Sequence, residues 1–249
     1  MNISAGAYSS KGSVRPLNED SFLLGEETGG TGVDDTLASF NGNVMKSTVF
    51  AVADGMGGHS AGDKASQFVV QQLLRRIQNI PGINSAVLEE TIKSIHADLL
   101  KEAARINAPN MGSTLTGLVL QNGNCGFFNA GDSRVYRLRN GFLQQLSRDD
   151  SLSAIVPGAA KNIITNALGA GLPTVTVESR FSANIAVPGD IFFLCSDGVH
   201  GAVYDEVLEK MLLESGTPEE ITYRIVKQAI ANNSDDNCTA LVVKLMDGE

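Results

Sequence analysis

The chain has 249 residues, 43% of them apolar, and is long enough to bury one sizeable core, so we expect a single domain spanning 1–249. Its formal net charge of −9, without a cluster of Lys and Arg or an aromatic platform, argues against a nucleic-acid partner. No apolar run of about 18 residues is present and the first residues lack the order of a signal peptide, which predicts a cytoplasmic protein without a membrane segment.

Short β-branched and apolar runs bounded by Gly, Asn and Asp predict strands along much of the chain. The predicted strands are Ser21–Leu24, Ser47–Ala53, Leu115–Leu120, Cys125–Asn129, Arg134–Leu138, Ile191–Cys195 and Thr239–Leu245. Asn122-Gly123 and Asn140-Gly141 stand between neighbouring runs, and such dipeptides favour tight hairpin turns. We therefore expect mainly antiparallel sheets. The three cysteines lie beside apolar residues in these runs, as buried thiols do.

Apolar residues recur at helical spacing in four segments. The predicted helices cover Ser60–Ile77, Ser85–Arg105, Asp205–Glu214 and a stretch that follows Thr217. The last of these begins with Thr217-Pro218-Glu219-Glu220, which supplies an N-cap, a proline at the first helical position and a capping-box glutamate. Pairs of helices separated by runs of antiparallel strands predict an α+β layered domain rather than a parallel βαβ sheet.

Four polar clusters adjoin strands that are predicted to be buried. They are Arg15–Asp20, Asp54–His59, Ser196–Gly198 and Asp235–Asn237. Carboxylates brought to about 5 Å from each other repel by several kcal/mol at an effective dielectric of about 20. A divalent cation between them makes the total electrostatic energy favourable. Oxygen ligands beside glycines suit Mg²⁺ or Mn²⁺, whereas scarce His and Cys disfavour zinc.

Each cluster taken alone has an ordinary alternative. Asp54-Gly55 and Asp197-Gly198 are also typical of turns after strands, Asp235–Asn237 of a loop, and Arg15 of a surface cation. Since the ordinary explanation must be invoked four times, the joint occurrence favours a shared metal site.

The order of the motifs resembles that of bacterial metal-dependent protein phosphatases of the PPM (PP2C-type) family, from about Gly6 to Lys244. The motifs are Arg15-x-x-Asn18-Glu19-Asp20, Asp54-Gly55-Met56-Gly57-Gly58, Gly112-Ser113-Thr114, Gly131-Asp132-Ser133-Arg134, Ser196-Asp197-Gly198 and Asp236-Asn237. The resemblance implies an αββα sandwich, in which two central antiparallel sheets are flanked by pairs of helices. It also implies hydrolysis of phosphoserine and phosphothreonine in proteins, opposing a serine/threonine kinase.

The resemblance further implies a role for each motif residue. Asp54 would bridge two Mn²⁺ or Mg²⁺ ions that activate a water, and Asp197 and Asp236 would complete the protein ligands of the first ion. The Gly55 carbonyl, with Glu19 or Asp20, would serve the second ion. Arg15 would grip the phosphate, and Arg15 and Asp54 are therefore the expected catalytic residues.

Three positions depart from the family pattern. Met56 stands where many members carry a histidine proposed as the acid, which leaves His59 or metal-bound water for that role. Gly201 replaces an aspartate that helps Asp132 to hold a third ion, so a firmly bound third ion is not expected. The flap at Arg148–Asn162 is short, which predicts an open site with little preference for flanking sequence. His96 is expected to be a solvated or capping side chain.

Two other classes of function stay open on the sequence. A catalytically silent member of the family would bind a phosphoprotein partner as a scaffold. All residues that are expected to contact the metal ions are present, which disfavours this alternative. A Ca²⁺-binding β-rich module would use the acidic strand ends, but the regular Asp-x-Asp-x-Asp-Gly loop of such modules is absent from the sequence.

Overall fold

The computed structural model describes residues 1–43, 47–57, 61–78, 80, 82–121, 124–156, 158–159, 163–182 and 185–248. His59 and the Asn122-Gly123 turn lie outside the described residues. In chain order the elements are β1 (Asn2–Ser10), β2 (Asp20–Leu24), β3 (Glu27–Gly29), β4 (Thr36–Asn43), β5 (Thr48–Met56), α1 (Gly62–Ile77), α2 (Ser85–Arg105), β6 (Gly112–Ser113), β7 (Leu115–Gln121), β8 (Asn124–Ala130), β9 (Arg134–Arg139), β10 (Phe142–Gln145), α3 (Leu152–Ile155), β11 (Leu168–Gly169), β12 (Glu178–Ser182), β13 (Ile191–Cys195), α4 (Asp197–His200), α5 (Asp205–Leu213), α6 (Pro218–Ala231) and β14 (Cys238–Met246).

The strands form two sheets in which every described pair is antiparallel. Sheet I has six strands in the order β10-β9-β13-β14-β1-β4. Sheet II has eight, with the path β11-β6-β5-β7-β8-β12 and with β2 and β3 added beside β5. The prediction of mainly antiparallel sheets is confirmed.

Apolar side chains divide the molecule into four layers. Phe22, Phe50 and Phe127 of sheet II share a buried cluster with Phe192 of sheet I, so the two sheets pack face to face. Helices α1 and α2 cover the outer face of sheet II, and α5 and α6 cover that of sheet I. The predicted αββα sandwich is therefore the observed fold. None of the helices in the described ranges combines the length and the apolar character needed to cross a bilayer.

The predicted helix start at Thr217 is confirmed in atomic detail. The Thr217 hydroxyl accepts from the Glu220 amide at 3.3 Å, and the Glu220 carboxylate accepts from the Thr217 amide at 2.9 Å. This first turn of α6 lies directly on β1, where a Cβ at Gly6 would overlap the backbone of Pro218 and Glu219. Gly6 thus permits the helix to approach the sheet closely.

Several local predictions need correction. The strand predicted to end at Ala53 continues to Met56, so Asp54 and Gly55 belong to β5 and not to a turn after it. His96 is buried rather than solvated, and its Nδ1 accepts a hydrogen bond from the Gly169 amide at 3.1 Å. The tight turn predicted at Asn140-Gly141 is confirmed by φ angles of 54° and 79°. All three cysteines are free and buried, as expected.

Candidate active site

The four polar clusters meet at one end of the sandwich, and sheet II supplies the first pair of carboxylates. Asp20 opens β2 and pairs directly with Asp54 near the end of the antiparallel strand β5. Directly opposed residues of antiparallel strands project to the same face with Cβ atoms about 5 Å apart. The register alone therefore brings these two carboxylates together.

Sheet I supplies the other pair. Asp197 follows β13 and begins the short helix α4, and Asp236 lies two residues before β14. Since β13 and β14 are antiparallel neighbours, the end of one strand lies beside the start of the other. The alternative interpretation of Asp197-Gly198 as a turn is wrong, because these residues form the first turn of a helix.

The charges of the four aspartates act on one another. Burial raises the pKa of Asp54 well above its usual range, and the charges of Asp20, Asp197, Asp236 and Asp132 add to that rise. Burial together with nearby aspartates also raises the pKa of Asp20 to about 7 and the pKa of Asp132 to about 7. The cluster is thus held together by the fold at an electrostatic cost, which a cation would remove.

Unpartnered oxygen atoms mark where a cation fits. Oδ1 of Asp20, Oδ1 of Asp132 and Oδ1 of Asp197 are all buried and have no hydrogen-bond partner among the described residues. Buried carboxylate oxygens normally have partners, and hard divalent cations bind such oxygens. No three His, Cys, Asp or Glu side chains among the described residues already form a closed metal-binding group. The three unpartnered oxygens are candidate ligands for a divalent cation.

Gly55 and Glu19 converge on the start of α1. A Cβ at Gly55 would overlap the backbone of Gly62, so glycine is the residue that fits this point of β5. A Cβ on Gly62 would lie 2.8 Å from the Gly55 carbonyl oxygen and 2.8 Å from Oε1 of Glu19, so both oxygens adjoin the same Cα. Burial raises the pKa of Glu19, with a further contribution from Asp63.

Arg15 lies at the edge of the carboxylate cluster. Its Nη2 donates to Oδ2 of Asp236 at 2.8 Å, and its Nε donates to the Asp235 carbonyl at 3.1 Å. The side chain is 47% exposed and lines a cleft of about 430 Å³ together with Asp132 and Asp197. Arg15 is therefore a cation in the site, not an isolated surface residue.

Two asparagines of the motifs fix the loops that carry these groups. Asn237 is buried, its Oδ1 accepts from the Glu19 amide at 2.8 Å, and its Nδ2 donates to the Lys11 and Leu17 carbonyls at 3.0 and 2.9 Å. Asn18 is buried as well, and its Oδ1 accepts from the Asp20 amide at 3.2 Å. Asn237 thus ties the Asp236 loop to the Arg15–Asp20 segment.

Hydroxyl groups of neighbouring side chains hydrogen-bond to the aspartates of the cluster and orient them. Ser196 donates to Oδ2 of Asp20 at 2.7 Å, and Thr114 accepts from the Asp54 amide at 2.9 Å. Thr114 also pairs with Ser133 at 2.8 Å. The sequence singled out these residues as parts of motifs without a role for any of them. The sequence could have indicated these roles, because Ser133 and Ser196 each adjoin a motif aspartate and Thr114 ends a motif of its own.

Asp132 lies on the flap side of the cleft. His200 places Nε2 3.0 Å from the Asp132 carbonyl oxygen, and Gly201 follows it at the end of α4. A Cβ on Gly201 would lie 2.8 Å from the Asp197 carbonyl oxygen, so the missing aspartate has no unstrained place in this backbone. From the flap segment, Ser151 and Ser153 also line the cleft.

Two packed antiparallel sheets with a carboxylate cluster at one end are the arrangement that the motifs predict. The protein phosphatase 2C family model matches residues 26–231 of the chain. The chain belongs to this family.

Individual relatives agree with that assignment. The serine/threonine protein phosphatase PstP of Mycobacterium tuberculosis is 31% identical over 97% of this chain, which spans 45% of that relative's length. The serine/threonine phosphatase stp of Listeria innocua is 30% identical over 81% of this chain and 86% of its own length.

Solved structures agree as well. The structure of PppA from Pseudomonas aeruginosa has a TM-score of 0.78 at 31% identity, and 98% of each chain is covered. The catalytic domain of PstP in complex with two manganese ions has a TM-score of 0.80 at 28% identity, covering 99% of this chain and all of that one.

Proposed function

We propose that the chain hydrolyses phosphoserine and phosphothreonine in proteins with the help of two Mn²⁺ or Mg²⁺ ions. The observation that carries the proposal is the set of buried, unpartnered carboxylate oxygens on Asp20, Asp132 and Asp197, of which Asp132 and Asp197 line the same cleft as Arg15. The names of the PstP and stp relatives support the same substrate class.

The positions of the oxygens favour a division into two ligand groups. Asp197 and Asp236 would hold the first ion. Asp54 would serve both ions, because it pairs with Asp20 and the charge of Asp197 contributes to its raised pKa. The Gly55 carbonyl and Glu19 would serve the second ion, since both adjoin Gly62. Asp20 assists through its unpartnered Oδ1, while Ser196 holds its other oxygen.

Bound divalent ions supply two kinds of chemistry here, a lowered pKa of coordinated water and neutralisation of charge on the phosphoryl oxygens. The chain's own residues position the substrate phosphate and shield it from water. Arg15 exchanges its contact with Asp236 for the substrate phosphate, to which its planar fork donates two hydrogen bonds. Asn237 and Ser196 keep the ligand loops in register during that exchange.

A third ion would have fewer ligands from this chain. Asp132 offers one unpartnered oxygen, and Gly201 offers none in place of the family's aspartate. Because Mg²⁺ prefers six oxygen ligands, such a site depends mostly on water and holds its ion weakly. Among the described flap residues, two small serines face the cleft, which favours substrates of varied flanking sequence.

The implied partners are phosphorylated proteins and a serine/threonine kinase whose products the chain dephosphorylates. The second candidate function is a catalytically weak or silent scaffold that binds a phosphoprotein. The two differ in turnover, so phosphate release from a phosphoserine peptide and from p-nitrophenyl phosphate separates them. We expect release with Mn²⁺ and none with EDTA. Binding of the peptide without release under every metal condition would favour the scaffold, and activity that survives EDTA would contradict both.

A further inference from the structure

Two hydroxyl side chains of sheet I point into the gap between the sheets at the active-site end. Ala7 of β1 and Leu241 of β14 belong to the buried cluster between the sheets. Since alternate residues of a strand share a face, Ser9 and Thr239 project into the same gap. The two are direct partners in the antiparallel pair of β1 and β14, and both are wholly buried. The apolar core of the sandwich therefore ends in a pair of hydroxyl groups.

Asp20 faces these hydroxyl groups from sheet II. Phe22 of β2 belongs to the same buried cluster, so Asp20, two residues before it, projects into the gap as well. The Ser196 hydroxyl, which donates to Oδ2 of Asp20, accepts in turn from the Thr239 amide at 3.0 Å. Asp20 and Ser196 are wholly buried too. Sheet I thus holds the Asp20 carboxyl through buried hydroxyl groups.

The hydroxyl groups continue as a chain of hydrogen bonds behind Asp20. Oγ of Ser9 and Oγ1 of Thr239 are 2.6 Å apart, and Nδ2 of Asn18 donates to Oγ of Ser9 at 2.8 Å. Since Ser9 accepts from Asn18, its own proton is available for Thr239, whose proton then remains to be donated. Burial raises the pKa of Asp20 to about 7, whereas hydrogen bonds from the Ser196 and Thr239 side chains lower it. The Thr239 hydroxyl therefore acts on the Asp20 carboxyl as a donor.

We propose that Ser9 and Thr239 are positioning residues for metal binding, which hold the Asp20 carboxyl with its Oδ1 open to a divalent cation. The inference rests on the proposed function, because it assigns both residues to the same site. Donors that occupy Oδ2 leave Oδ1 without a partner among the described residues, and a fixed carboxyl presents that oxygen in one orientation. Polar groups that orient a metal ligand typically contribute about 10- to 100-fold in metal affinity.

Ser9 acts through Thr239. Hydrogen bonds in a buried chain polarise one another, so the Ser9 hydroxyl strengthens the Thr239 hydroxyl as a donor. A purely structural role predicts a different result, because the loss of a buried hydrogen bond lowers stability with and without metal and leaves the affinity for metal unchanged. Metal affinity and stability are therefore measured separately.

Titration calorimetry with Mn²⁺ tests the positioning role. Thr239→Val keeps the shape of the side chain without its hydroxyl and should raise the Kd for Mn²⁺ about 10-fold or more. Ser9→Ala should give a smaller increase, and Thr239→Ser, which restores the hydroxyl, should stay within about twofold of wild type. The matched control is Thr222→Val on α6, where the buried hydroxyl donates to the Glu219 carbonyl of its own helix at 3.0 Å. Its Kd should equal that of wild type.

Thermal melts in EDTA show that each variant folds and measure the structural loss alone. We expect similar losses for Thr239→Val and Thr222→Val, and a smaller rise with Mn²⁺ for Thr239→Val only. Should Thr239→Val fail to fold, Ser9→Ala decides, because it removes one hydroxyl and leaves Asn18 its bond to the Gly30 carbonyl.

The outcomes separate this inference from the function on which it rests. A wild-type chain that neither binds Mn²⁺ nor hydrolyses p-nitrophenyl phosphate would contradict the proposed function and this inference with it. With wild-type binding and turnover present, an unchanged Kd in folded Thr239→Val or in Ser9→Ala would overturn the inference alone. An equal loss of affinity in Thr239→Ser or in Thr222→Val would overturn it as well.

Discussion

Asp20 and Asp54 lie directly opposite each other on β2 and β5, so the strand register forces two carboxylates onto one face of sheet II. Like charges directly opposed in a sheet are destabilising. This opposed pair lies at the end of the sandwich where Asp197 and Asp236, next to strands of sheet I, also lie. The same relationship makes the stability of the folded chain depend on divalent metal and on pH.

Mn²⁺ should stabilise the folded chain. Because the ion binds the native carboxylate cluster and not the unfolded chain, a hundredfold excess over Kd should add about 2.7 kcal/mol to the free energy of unfolding. Thermal melts with Mn²⁺ and with EDTA measure this. In EDTA, Asp197→Asn should melt no lower than wild type because it removes one repelling charge, and its response to Mn²⁺ should be much smaller. A variant that melts well below wild type in EDTA would show that the repulsion is unimportant.

The metal-free protein should lose stability as the pH rises. The pKa of Asp20 is raised to about 7 in the folded state, so between pH 4 and pH 7 the folded state binds more protons than the unfolded state. The stabilisation from the protonated carboxyl is complete below the unfolded-state pKa and is lost as the pH passes through about 7, on the order of 4 kcal/mol in all.

Melting temperatures in EDTA across pH 5.5 to 8.5, which bracket the Asp20 value of about 7, measure this loss. Asp20→Asn is the matched control, because it keeps the shape of the side chain and cannot titrate. Its melting temperature should fall less steeply with pH than that of wild type. Parallel curves for the two proteins would contradict the raised pKa.

Removal of the Arg15 guanidinium should weaken substrate handling more than metal binding. Arg15→Ala should raise KM, lower kcat, and reduce kcat/KM about 10- to 100-fold, since the planar fork contacts the phosphate in ground and transition states. Arg15→Lys should restore part of the loss because it keeps the charge without the fork. Mn²⁺ titration should give nearly the same affinity in all three proteins. Wild-type kinetics for Arg15→Ala would return this residue to an ordinary surface role.

Asn237 should be required for both stability and metal binding. Its side chain makes three hydrogen bonds in a buried position, and Asn237→Ala leaves the Glu19 amide and two carbonyls unpaired. Since each unsatisfied buried group costs about 1–3 kcal/mol, we expect a loss of at least about 2 kcal/mol in urea unfolding. Asn232→Ala, at an exposed position where the side chain bonds Gln228 and the Ala202 carbonyl, should cost far less because water can satisfy the groups it leaves. Equal losses would argue against a special role for Asn237.

The sequence predicted the layers and the meeting of the motif aspartates better than it predicted the strands of sheet I. β1 reads Asn2-Ile3-Ser4-Ala5-Gly6-Ala7-Tyr8-Ser9-Ser10, which lacks the β-branched alternation of a strand. Its small residues are explained by contact with α6, which approaches Gly6 closely. That reason is tertiary and cannot be seen in a local pattern. β4 was also not predicted, because its sequence is largely polar and its pairing with the distant strand β1 cannot be seen in a local pattern.

The site was predictable where chemistry acts through charge and less so where it acts through hydrogen bonds. Asp54, Asp197 and Asp236 were predicted as ligands because each lies in or next to a buried strand. The roles of Thr114 and Ser196 depend on which backbone amide or carboxylate lies within reach, and their partners, the Asp54 amide and the Asp20 carboxylate, are 60 and 176 residues away in the sequence. Burial of His96 likewise depends on the loop at Gly169, which is distant in sequence.

Neighbouring aspartates give the most direct test of metal-dependent hydrolysis at this cluster. Asp236 is a proposed ligand and contacts Arg15, whereas the side chain of Asp235 is exposed at the mouth of the same cleft. Phosphate release from a phosphoserine peptide with Mn²⁺ should fall at least about 100-fold in Asp236→Asn and change less than about twofold in Asp235→Asn. Wild-type activity in Asp236→Asn, or equal losses in both variants, would contradict the assignment of the cluster as the catalytic metal site.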